Sequence, residues 1–468
     1  MRPAKTTTNE KSLTILLLCI AATASAQFPN TVSAADKVYG LSRFWQEVNY
    51  NFVYLNQVNR ASWDSAYKAM IVEVEESRND YEYYRHLQRF CALLNDGHTN
   101  VWMPQWKNAP ANYNSMFGDY RFFLENIDGK AIVVRTNTAK KNELPVGSEV
   151  IEVNGLPVKE YKARFVKPYI SSSTDYVRED WATRDLLAGF EGDRYKVTFR
   201  KPDGKLLRLD LTHAKTVDES VFPAFPPQRQ LLDFRWLDGG IAYVSLNSFS
   251  DPKIDSLFDA LLPELYKAKG LVVDLRYNGG GSTQIGTHIL QYLTNDSVLY
   301  GARSATRSHI PTYKAWGKWA EAKDTAGNSW ERRNFLSYRD DAWYDFDYSP
   351  DTLHLQARRI VVPTALLTGH NTASAAEDFL IYADNQKHML RIGEHSFGST
   401  GQPYHFDLPG GGSARVCTKK DTYPDGRPFV GVGIIPQLEV KRSVADYLSG
   451  KDPVLEQGQA WVKTQWKN

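Results

Sequence analysis

The sequence predicts a mixed α/β, multidomain protein. Three observations carry that reading: helical periodicity in the first hundred residues, a β-rich middle, and alternating strands and helices from about residue 235. The 468 residues suggest about three domains. Hydrophobic residues make up 42% and charged residues 24%, an ordinary globular balance. A net charge of +2 excludes a dedicated polyanion binder, and 3 cysteines exclude a disulfide framework.

Residues 1–26 read as a signal peptide. Arg2, Lys5 and Lys11 precede an apolar run over 13–22, and Ala24-Ser25-Ala26 is a cleavage signal. Export follows as the expectation, periplasmic, envelope-associated or secreted. No later run approaches the ~20 apolar residues of a membrane span. Only Cys91 and Cys417 survive cleavage, and their pairing stays open.

Residues 33–110 form the helical part. Leu41, Trp45, Val48 and Phe52 share one helix face. Ser62 is expected to cap a second helix and Asp80 a third, with Gly97 beyond its end. Residues 116–215 change to β: 131–134 is a strand, 146–153 closes on the Asn154-Gly155 turn, and 195–199 alternates before Asp203-Gly204. A helical stretch near 157–190 interrupts it. The third part, 218–445, holds apolar strands at 270–275 and 360–367 and helix faces at 254–261 and 285–293. Residues 446–468 form a C-terminal extension. Trp316, Trp319, Trp330 and Trp343 fall in a charged excursion over 311–350, either a cleft wall or a surface flap.

Four segments have chemical potential. Asp274-Leu275-Arg276-Tyr277-Asn278-Gly279-Gly280-Gly281 runs from a buried strand into a glycine turn that brings backbone N–H groups close together. In Thr372-Ala373-Ser374-Ala375-Ala376-Glu377 a serine opens a helix, either as a nucleophile or as the first member of an S-x-x-E capping box. Asn95-Asp96-Gly97-His98-Thr99 offers a loop histidine that can accept a proton. Gly398-Ser399-Thr400-Gly401 is a polar turn. The scattered histidines contain no metal-binding pattern, and no cofactor is expected.

Together, and in this order, these segments resemble the C-terminal processing peptidases, the tail-specific proteases of family S41. Leu144 to Gly155 is similar to the core of a PDZ domain, and Gly433-Ile434-Ile435-Pro436 to the family's closing motif. The resemblance implies a ClpP/crotonase-like α/β protease core, an N-terminal helical cap and a PDZ-like β module. It also implies a serine endopeptidase acting on unfolded or tail-presented proteins. The lysine of the family's Gly-Lys-Gly segment is missing at 398–401, so the chain resembles the tricorn-like serine–histidine branch. Carried over by position, Ser374 is the nucleophile, His98 the base, and the N–H groups of Gly280 and Ala375 the oxyanion hole. Val430 stands where that branch has a glutamate. Asp96, Glu394 and Ser399 are alternatives for orienting His98, while Asp274, Arg276 and Glu377 brace the site. The partner implied is a protein or peptide, gripped by its C-terminus. The competing reading is a non-catalytic peptide or lipid binder on the same fold. A carbohydrate platform built on the Trp-rich stretch lacks a convincing carboxylate pair.

Overall fold

A computed structural model describes residues 28–356 and 358–467. The signal-peptide expectation for 1–26 lies outside them. Among the described residues no helix is long and apolar enough to cross a membrane.

The N-terminal helices span Ala34–Asn51, Arg60–Glu75 and Asp80–Ala92. Their caps differ from expectation. Asn59 caps the second helix by accepting from the Ser62 N–H, so Ser62 is the capped residue and not the cap. Asn79 caps the third by accepting from Glu82 N–H. Asp80 instead accepts from the Thr31 and Val32 N–H groups and ties the incoming chain to the bundle. Leu41, Phe44, Val48, Leu87 and Phe90 form its core. Two later strands, Pro403–Asp407 and Ser413–Cys417, return to this core and contribute Phe406, Ala414 and Val416. The strand Asn100–Trp102 pairs with Ser413–Cys417 and forms the outer edge of that three-stranded sheet.

The middle of the chain is an antiparallel sheet built on Tyr120–Ile127, Lys130–Asn137, Glu149–Val153, Arg194–Arg200 and Leu206–Thr212. The expected strands are present, and so is the helical interruption, as the helix Asp175–Arg184 and shorter turns before it. That helix reaches out of its own unit and packs on loops of the third part.

The third part is a six-stranded sheet. In spatial order its strands are Leu232–Leu237, Ile241–Leu246, Gly270–Asp274, Thr364–Thr368, Met389–Gly393 and Leu438–Glu439. The first pair is antiparallel and the others are parallel. The strand expected at 360–367 begins only at Thr364, because Pro363 has no N–H for a central ladder. Helices Lys253–Leu265, Thr283–Leu293 and Ala375–Tyr382 cover one face through Phe258, Ile289 and Phe379. The C-terminal helix Pro453–Thr464 covers the other, placing Val454 and Val462 against Val272, Ala365 and Leu367. Coverage of both faces explains the continuous apolar strands.

The Trp-rich excursion folds as a hairpin of helices Pro311–Gly317 and Ser329–Tyr338. Trp319 is 80% exposed, and Trp316 and Trp330 stand nearly half exposed with ring centroids 5.4 Å apart.

Candidate active site

Parallel strands send their loops to one end of a sheet, where sites in α/β folds are built. Here three neighbouring strands deliver three of the four segments singled out in the sequence. Gly270–Asp274 leads into the glycine turn, Thr364–Thr368 into the Ser374 turn, and Met389–Gly393 into the 394–401 loop. Backbone bonds lock the three together. Ala373 N–H donates to the Asn278 carbonyl at 2.9 Å, and Phe397 N–H to the Thr372 carbonyl at 2.8 Å. The Thr372 hydroxyl bridges the first two turns, donating to the Leu275 carbonyl at 2.9 Å and accepting from Gly369 N–H at 3.1 Å.

Ser374 opens the helix Ala375–Tyr382 with φ 56° and ψ −123°. An ordinary N-cap residue is extended. Of the five described non-glycine residues with positive φ, the other four are Asn or Asp, which tolerate that region. A strained serine between a strand and a helix is the geometry of a nucleophile elbow. Gly280 makes room for it: a Cβ there would lie 2.7 Å from Ser374 Cβ and 2.9 Å from the Ala375 nitrogen. As the first residue of its helix, Ala375 has an N–H with no acceptor inside the helix. The Gly280 N–H is engaged, donating to Asn278 Oδ1 at 3.0 Å.

Glu377 is fully buried. Its carboxylate accepts from Ser374 N–H at 3.0 Å, from Gly398 N–H at 2.8 Å and from the Ser396 hydroxyl. The Ser374 backbone and the 396–398 loop therefore hang on one carboxylate. Burial pushes Glu377 up to about 8, against the pull of those three donors. The glutamate arm of the S-x-x-E signal is real, and it extends beyond the helix end.

His98 arrives from the helical part. Its loop turns through Asn95 at φ 50°. Asp96 is buried, and its carboxylate accepts from the hydroxyls of Thr99 (2.6 Å) and Ser173 (3.2 Å). The same Ser173 oxygen accepts from Gly97 N–H at 2.9 Å. Asp96 thus shapes the loop and does not bond the imidazole. The ring's partner is Ser399: His98 Nδ1 lies 2.7 Å from its Oγ. Burial, reinforced by the Arg415 and Lys419 charges, holds His98 down at about 4, so the ring is neutral at pH 7. Val430 packs between two hydrophobic cores, so no carboxylate occupies that place.

The remaining expected residues lie outside this cluster. Arg276 joins Asp274 (2.7 Å) to Asp452 (2.8 Å) and fixes the C-terminal helix to the sheet. Glu394 faces His370 at 3.8 Å. Cys91 and Cys417 are both buried free thiols.

Sequence reasoning missed His370 and its partners. His370 precedes Ser374 by one turn of chain, and its Nδ1 lies 2.6 Å from Asp180 on the helix Asp175–Arg184. Tyr176 stacks on the ring with centroids 4.5 Å apart and donates its hydroxyl to the Ser396 carbonyl at 2.6 Å. Thr174 donates to the Phe397 carbonyl at 3.2 Å. The helix interrupting the middle sheet therefore braces the loops around the serine. The only signal was the helical stretch expected near 157–190 within that β unit.

Among the described residues no group of His, Cys, Asp and Glu is arranged to hold a metal ion. The chain has no match among curated proteins. It is similar in fold to mature CPAF complexed with lactacystin, at 15% identity and a TM-score of 0.64, covering 93% of this chain and 98% of that one. A second structure of mature CPAF gives 15% identity and a TM-score of 0.60, with coverage of 88% and 94%. The model of peptidase family S41 matches residues 240–440, which contain the glycine turn, the Ser374 turn and the 394–401 loop. Over those residues the chain is similar to the peptidase domain of family S41, and its fold as a whole is similar to that of a solved protease.

Proposed function

We propose that the protein is an exported endopeptidase in which Ser374 attacks the scissile carbonyl and His98 is the general base. The observation that carries this reading is the φ 56°, ψ −123° conformation of Ser374 beside the glycine turn at the C-terminal end of a parallel sheet. In the tautomer a base requires, His98 Nδ1–H donates to Ser399 and Nε2 keeps its lone pair for the serine proton. The same nitrogen returns that proton to the leaving amine. The Ala375 N–H stabilises the tetrahedral oxyanion, joined by Gly280 once the Asn278 carboxamide releases its N–H. Ser399 stands where a carboxylate would orient an ordinary triad histidine. A hydroxyl fixes the ring but adds no negative charge, which accords with a weakly basic His98.

In this reading residues 33–110 are the cap, 116–215 a PDZ-like module that presents substrate tails, and 218–445 the catalytic core. Export rests on the 1–26 segment. Purified protein should cleave an unfolded test substrate, and a serine-directed covalent probe should label Ser374. Ser374→Ala should abolish both while leaving the melting temperature within a few degrees. Cleavage by that variant would refute the assignment.

A further inference from the structure

A cavity of about 670 Å³ lies between the N-terminal helices and the middle β unit. It adjoins the candidate site on two sides. Its wall includes Asn100 and Val101, immediately beyond His98-Thr99, and Trp181, whose ring packs on Phe397 at 5.6 Å between centroids. The strand Asn100–Trp102 has an unpaired outer edge, the feature to which an extended peptide adds as a further strand.

The chemistry of the wall is specific. Tyr81, Tyr161, Tyr169 and Phe190 supply aromatic surface. Three charged side chains line it, two arginines and one aspartate. Arg184 and Asp185 neutralise one another through bonds of 2.8 and 2.9 Å. Arg85 is left over. Among the described residues it forms no ion pair, yet it is held in place. Its guanidinium lies 3.5 Å from the Tyr169 ring centroid, and Nη1 donates to Gln88 Oε1 at 2.9 Å. Gln88 in turn donates to the Val101 carbonyl at 3.2 Å. A guanidinium has five N–H donors, so this contact leaves most of them for a ligand. A fixed planar cation with free donors is suited to a carboxylate. A second cavity under the same histidine loop, about 560 Å³, has no cation among its lining residues and contains Asp96.

We infer that this cavity is a substrate-carboxylate pocket: Arg85 pairs with a carboxylate of the peptide being cleaved, aromatic walls enclose an adjoining apolar side chain, and the backbone runs along the edge of Asn100–Trp102. The inference deepens the peptidase reading and rests on it. The carboxylate has two sources, the chain terminus or an internal acidic side chain.

The test uses the full chain carrying Ser374→Ala, so that bound peptide survives. A dye-labelled Gly/Ser peptide ending in phenylalanine is titrated by anisotropy as the free acid, as the C-terminal amide, and as the amide with one internal glutamate. The free acid should bind about tenfold or more tightly than the plain amide, and Arg85→Gln should erase that difference while Arg85→Lys retains part of it. If the glutamate-bearing amide matches the acid and also loses its advantage in Arg85→Gln, the pocket stands and the internal side chain is its ligand. Equal binding of all three forms, no binding, or an acid preference untouched in Arg85→Gln overturns the inference. Arg85 is half-exposed, and a melting curve confirms that each variant is folded. Cleavage by the wild type is measured separately, so failure of the peptidase reading is distinguishable from failure of this one.

Discussion

His98 and His370 both face the 394–401 loop, His98 through Ser399 and His370 through Glu394, yet their surroundings tune them in opposite directions. His98 is buried next to Arg415 and Lys419, and both cations add to the burial that disfavours its proton. His370 is also buried, which alone would lower it, but the bond to Asp180 and the charges of Asp180 and Glu394 raise it overall. Near neutral pH the first ring is uncharged and able to accept a proton. The second is shifted toward the imidazolium and bridges the Ser374 turn to the helix Asp175–Arg184 through Asp180. Sequence position would have favoured His370, the nearer to Ser374. Environment favours His98 for the proposed role, because a base must be neutral before the reaction starts.

The largest effect that tests this contrast is on turnover. His98→Ala should lower kcat/KM for an unfolded substrate by roughly 10⁴-fold or more, close to Ser374→Ala, since nucleophile and base act as a unit. His370→Ala should cost about tenfold or less, through looser positioning of the turn. If His370→Ala proves as damaging as His98→Ala, the roles have been exchanged. Glu377→Gln should fall between them, losing about 10²-fold in kcat with KM little changed, because the carboxamide cannot accept from all three of its present donors. Its melting temperature should also fall, in line with the cost of leaving a buried donor unpaired, about 1–3 kcal/mol.

The acidic limb of the pH profile sharpens the comparison further. With His98 held at about 4, kcat/KM should stay near its plateau down to pH 5 and then fall about tenfold per pH unit below the base's pKa. A limb centred at or above the ordinary histidine value of about 6.5 would mean that another group limits the reaction. Ser399→Asp, which puts a carboxylate beside Nδ1, should move the limb upward. Ser399→Ala should leave its position nearly unchanged and reduce kcat by about tenfold through loss of ring orientation.

Much of this organisation was legible in the chain because it follows from local rules. The apolar run ending in Asp274 is a strand because it is covered on both faces, and the glycines after it are needed where Gly280 meets Ser374. Adjacent residues with the same capping chemistry defeated the same reasoning. Asn59 and Ser62, like Asn79 and Asp80, are all able to cap, and only the three-dimensional path of the chain selects among them. The braces around the serine were invisible for another reason. Asp180, Ser173 and Tyr176 act on His370, Asp96 and Ser396 across separations of 190, 77 and 220 residues, and no local pattern marks such pairs.

The smallest expected effect concerns the bridge itself. Asp180→Asn removes the negative charge that favours the His370 imidazolium and leaves Glu394 3.8 Å away as its remaining carboxylate, with Lys441 opposing. Because the folded-state pKa of His370 is raised above its unfolded value of about 6.5, its contribution to stability is fully present below that pH. It is lost as pH rises through the folded value. Asp180→Asn should therefore destabilise the protein by about 1–2 kcal/mol near pH 5.5 and by less near pH 9. Asp180 also accepts from Asn126 at 2.7 Å, a contact that does not titrate with the histidine. The pH-independent part of the loss belongs to that contact, and His370→Gln should remove the pH-dependent part alone. Urea melts of the two variants at both pH values separate the terms. A destabilisation of Asp180→Asn that stays constant across this range would mean that the imidazole is held neutral, and that the two histidines are not tuned apart.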